Sequence, residues 1–60
     1  MKATEIEEYA TKLLSAHGDR AEAEAAEKAR DCDGKGLADE AADWRRIRAA
    51  IASKRGPRAS

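Results

Sequence analysis

Apolar residues recur along this chain with a helical period and show no strand-like alternation. Ile6, Tyr9, Ala10, Leu13 and Leu14 stand at i, i+3, i+4, i+7 and i+8, the stripe of an amphipathic helix. Thr4, with Glu7 three positions later, reads as a capping box that opens this helix. Gly18, just past His17, closes it, because glycine tolerates the left-handed conformation beyond a helix end. Asp19 and Glu22 repeat the spacing and start a second helix, whose stripe is Ala21, Ala25, Ala29 and Cys32. After Asp33-Gly34-Lys35-Gly36 a third helix carries Leu37, Ala41, Trp44, Ile47, Ala50 and Ile51 on its inner face and ends before Gly56-Pro57. The pattern predicts helices over 4–17, 20–32 and 37–53. The fold class is all-α: a small three-helix unit over residues 1–55, with an antiparallel hairpin of helices 2 and 3 packed on helix 1. Residues 56–60 read as a flexible basic tail.

Composition makes this core a thin one. Fifteen of the hydrophobic residues are alanine, so Met1, Ile6, Tyr9, Leu13, Leu14, Cys32, Leu37, Trp44, Ile47 and Ile51 are the only larger apolar side chains in 60 residues. Domains of this size are marginal without disulfides, metal or association. Low content of large aliphatics accompanies disorder when net charge is high; here the formal net charge is zero and strong helix formers run throughout. The missing burial is therefore expected across an interface, in a homodimer or on a larger protein partner.

Zero net charge conceals a split. Residues 1–43 hold 6 Lys/Arg against 12 Asp/Glu, whereas residues 44–60 hold 6 Lys/Arg and no acid. Arg45, Arg46, Arg48, Lys54, Arg55 and Arg58 form a basic helix end and tail that raise a second reading, a small nucleic-acid-binding regulator. Against it stand the acids elsewhere and the lack of a helix-turn-helix pair. The chain shows no signal-peptide pattern or membrane span, and one cysteine cannot form an internal disulfide, so cytoplasmic residence is expected.

The acidic stretch Asp31-Cys32-Asp33-Gly34-Lys35-Gly36-Leu37-Ala38-Asp39-Glu40-Ala41-Ala42-Asp43 invites comparison with a calcium loop. With Asp31 first, Asp33, Gly36 and Asp39 fall at positions three, six and nine, but Lys35 takes the fifth and Ala42 the twelfth, where a bidentate Glu belongs. A turn is the simpler reading. Asp31 and Asp33 end one helix, the glycines supply positive φ, and Asp39 and Glu40 sit at the positive end of the next. Gly34 and Gly36 make no phosphate loop, since no strand precedes them and no Gly-Lys-Ser/Thr follows.

His17 and Cys32 lie far apart, with no partners at zinc-ligand spacing. His17 reads as a favourable charge at a helix C-terminus and Cys32 as a small buried hydrophobe. No catalytic residue, metal or cofactor is expected, and thin helices with few large side chains scarcely enclose a pocket. Trp44 reads as the anchor of the third helix in the core and, flanked by arginines, as a partner-facing hot spot, where Trp and Arg are enriched. The residues expected at the partner surface are Trp44, Arg45, Arg48, Ile47 and Ile51 on the third helix, and Tyr9 and Leu13 on the first.

His17, Gly18, Asp19, Ala25, Gly34, Leu37, Trp44, Arg46, Ile47, Ala50 and Ile51 together trace a longer pattern. It resembles a family of short bacterial proteins that share His-Gly-Asp, an alanine-spaced helix, a glycine-containing turn before a Leu, then Trp-x-Arg-Ile and Ala-Ile. The family has no assigned function, so the resemblance implies an all-α fold and nothing more. Helices 2 and 3 also look like one tetratricopeptide unit, but 60 residues do not hold the three or so repeats such an array needs.

Overall fold

The computed structural model describes residues 1–55, so the expected tail at 56–60 lies outside the described residues. Every regular element among them is helical: α1 (Ala3–His17), a 3-10 turn (Gly18–Arg20), α2 (Ala21–Gly34) and α3 (Ala38–Lys54). α2 packs most extensively against α3, and α1 lies on α3 while touching α2 little. Alanine explains this uneven arrangement. α2 buries Ala21, Ala25, Ala29 and Cys32, a face of small side chains that lets α3 approach closely. The bulk that fills the core comes from the other two helices. Ile6 and Ala10 of α1 meet Ala21 and Ala25 of α2 and Ile47, Ala50 and Ile51 of α3, with Leu13, Leu14 and Trp44 packed on the edge of this cluster.

The helix ends depart from the expected capping. α1 begins one residue earlier, with Lys2 in the cap position, and it is Glu5 Oε1, not Glu7, that accepts the Lys2 backbone N–H at 2.9 Å. Thr4 lies inside the first turn. Asp19 likewise fails to cap α2, because the chain leaves α1 through a tight 3-10 turn and the cap position passes to Arg20. A cap also needs an extended backbone at its residue, and Arg20 is helical (φ −84°, ψ −13°). Gly18 closes α1 with a positive φ of 58° and donates its N–H to the Leu14 carbonyl, but its ψ of −128° lies outside the left-handed helical conformation expected there.

α2 runs two residues beyond its expected end, through Gly34, and stops in a Schellman motif. The Leu37 N–H donates to Cys32 O at 2.8 Å, the Gly36 N–H donates to Asp33 O at 3.1 Å, and Gly36 takes φ 76°. This is the paired bonding that satisfies orphan carbonyls at a helix end. Only Gly36 in this turn needs positive φ; Gly34 stays helical. Leu37 becomes the residue before α3, 40% exposed, and does not join the inner face.

Candidate functional site

The side chains that distinguish this surface sit where α1 crosses the first half of α3. Tyr9 projects from α1 beside Trp44 of α3, ring centroids 5.4 Å apart and planes at 90°. Edge-to-face contact of this kind sets the positive rim of one ring on the negative face of the other. Neither ring is sealed: Tyr9 is 40% exposed and Trp44 half-buried. They border an open cleft of about 220 Å³ whose other walls are Met1, Glu40, Asp43 and Ile47. Met1 is itself 51% exposed, so large apolar side chains from both helices face solvent around one depression.

The expected partner residues divide three ways. Tyr9 and Trp44 come together at the cleft, and Leu13 is half-buried at the core edge. Ile47 and Ile51 are 1% and 0% exposed; α1 covers them, so they belong to the chain's own interior and are unavailable to a partner of the folded chain. Arg45 and Arg48 point elsewhere. Arg45 is ion-paired with Asp33 of α2, and Arg48 lines a separate shallow depression with Ala23 and Ala26 of α2, away from the aromatic pair. The pattern reading missed Met1, Glu40 and Asp43 as neighbours of Trp44. One carried a signal, since Glu40 stands at i−4 from Trp44 on the same helix face.

Among the described residues, much of the basic segment is answered internally. Lys54 Nζ lies 2.8 Å from Glu7 of α1, and Arg55 reaches Asp19 and Glu22 at 3.3 Å each. With the Arg45–Asp33 pair, these contacts take up much of the α3 charge that a phosphate backbone would need. Arg46 reaches only Asp43 of its own helix, at 3.9 Å.

The remaining chemistry-bearing residues are dispersed. His17 Nδ1 sits 2.7 and 2.9 Å from the two carboxylate oxygens of Glu24 across the 3-10 turn, which ties the end of α1 to α2. Cys32 is buried in the α2 stripe. In the acidic turn, Asp31 pairs with Lys35 at 3.2 Å and Asp33 with Arg45, and among the described residues no three His, Cys, Asp or Glu side chains gather to hold a metal ion. Also among the described residues, no helix is long and apolar enough to cross a membrane. Comparison of the chain with protein-family models, curated proteins and solved structures finds no match.

Proposed function

We propose that the chain is a non-catalytic interaction module that docks on another protein surface through the Tyr9–Trp44 face of α1 and α3. The observation that carries this reading is the aromatic pair itself. Two of the largest apolar side chains in a chain short of them stand half-open around one cleft, beside an exposed Met1. Burying such rings is among the strongest gains available to a small domain, and Trp and Tyr dominate the energetics of protein interfaces. A second protein that covers them supplies the burial the alanine-rich core lacks.

The wider reading follows from the same features. A cytoplasmic setting suits a lone buried thiol. The likeness of residues 17–51 to the His-Gly-Asp family belongs to this proposal and adds a fold, not an activity. The depression on α2 is lined by Glu24, Glu27, Lys28 and Asp31 along a single helix, and catalysis needs a base, a nucleophile and an orienting group brought together.

Site-specific photo-crosslinking tests the reading. A benzophenone amino acid replacing Tyr9 should form adducts in the native host, and the same group at Lys28, on the outer flank of α2, should not. Equal adducts at both positions, or none at Tyr9, would remove the docking face.

A further inference from the structure

Resting on that docking reading, we infer that the occupant of the cleft is a cationic amphipathic helix of another protein, which inserts one large apolar side chain between Tyr9 and Trp44 and sets Lys or Arg on the acidic lip. The accessible apolar surface of the cleft comes from Met1, Tyr9 and Trp44, with the sealed Ile47 beneath them, and two carboxylates, Glu40 and Asp43, stand on its wall. Several acids elsewhere in the described residues meet a base on another element, as in Glu7–Lys54, Asp19–Arg55, Glu22–Arg55 and Asp33–Arg45. Glu40, on the cleft wall, has no such partner: among the described residues no Lys or Arg nitrogen comes within ion-pair distance of it. Asp43 is held loosely, at 3.5 Å from the Met1 ammonium and 3.9 Å from Arg46.

The bases nearest in sequence do not cancel this field at the cleft. Lys12 is one turn beyond Tyr9 on the outer surface of α1 with Glu7, Glu8 and Thr11, and Arg48, one turn beyond Trp44, lies over α2. A second copy is the poorer occupant, because an isologous contact centred on the aromatic pair sets one acidic lip toward another. A positive helix laid in the groove relieves that repulsion while its apolar face covers the rings.

The probe is a fluorescein-labelled synthetic peptide of about 15 residues, helical, with a Leu face flanked by Lys and Arg. Its twin carries Glu at every Lys and Arg position. Binding to the full chain is read by anisotropy and by the emission of Trp44, the only tryptophan. The cationic peptide should bind and shift Trp44 emission, lose affinity as salt rises, and outbind its twin. Glu40→Lys should weaken it about fivefold while lowering the thermal melt by only a few degrees, for the acid lost from the first turn of α3. Equal binding of the twins, or binding indifferent to salt and to Glu40→Lys, overturns the cationic partner and leaves the docking face standing. Binding of neither peptide while Tyr9 adducts still form overturns this inference alone, and loss of both overturns the two together. Light scattering that shows a dimer, dissociated by Trp44→Ala, makes a second copy the occupant and overturns it as well.

Discussion

Trp44 and Ile47 sit three positions apart on α3, yet truncating them should have different consequences. Ile47 is sealed between α1 and α2, so Ile47→Ala leaves a cavity and should cost about 2–5 kcal/mol, enough to unfold a marginal domain. Trp44 keeps part of its ring in solvent, so Trp44→Ala loses only part of that transfer energy, about 1–2 kcal/mol, and should give a folded variant impaired in docking. Urea denaturation followed by circular dichroism separates the two; equal losses would place the indole in the core after all. Helical period puts residues 44, 47 and 51 on one stripe and goes no further, because what divides them is non-local. α1 passes over the later turns of α3 and leaves the earlier ones half covered. The same limit applies to Tyr9, which shares the α1 stripe with Ile6 but meets only the edge of a neighbour.

Helices were legible from period and helix-forming composition, whereas their ends were not, because a cap depends on backbone geometry that several nearby residues compete to set. Lys2-Ala3-Thr4-Glu5 and Thr4-Glu5-Ile6-Glu7 both place an acid three residues past a candidate cap, and the chain uses the first. In the turn after α2 the sequence offers two glycines, and only Gly36 adopts φ 76°. This asymmetry gives a paired prediction. Gly36→Ala forces a Cβ into the left-handed region and should destabilise by about 1 kcal/mol. Gly34→Ala has open space around it and a helical backbone, so it should stabilise by about 0.5–1 kcal/mol by restricting the unfolded chain. Thermal melts resolve the difference, since about 1 kcal/mol moves the midpoint by about 4–8 °C at this size. The packing hierarchy predicts a second outcome. α1 rests mainly on α3 while α2 and α3 pack closely on each other, so hydrogen exchange should find α1 amides opening at lower free energy than those of the α2–α3 pair. Uniform protection would mean that the three helices unfold as one unit.

Across the whole molecule, the contrast between an acidic first part and a basic last part reads in sequence as a charged arm and becomes in the fold a set of neutralising contacts. α3 lies against the helices that carry the acids. Lys54 meets Glu7, Arg55 meets Asp19 and Glu22, and Arg45 meets Asp33, none of them close to its partner in sequence. Individually such exposed pairs contribute little, typically under 1 kcal/mol, but together they redirect basic side chains away from any outside polyanion. Among the described α3 residues this leaves Arg46 and Arg48 as the bases with no ion pair to another helix. Two phosphate contacts give a salt slope no steeper than about −2, whereas proteins that hold DNA through six to ten contacts lose about a thousandfold or more in affinity between low and moderate salt. Titration of labelled duplex DNA and single-stranded RNA should therefore detect only weak binding with a shallow salt slope, and replacing Arg46 and Arg48 together with Gln should abolish it. A steep slope would mean that the interhelical ion pairs open to release Arg45, Lys54 and Arg55 to phosphates. The basic face of α3 would then be the working surface of the chain, and the aromatic cleft a structural edge.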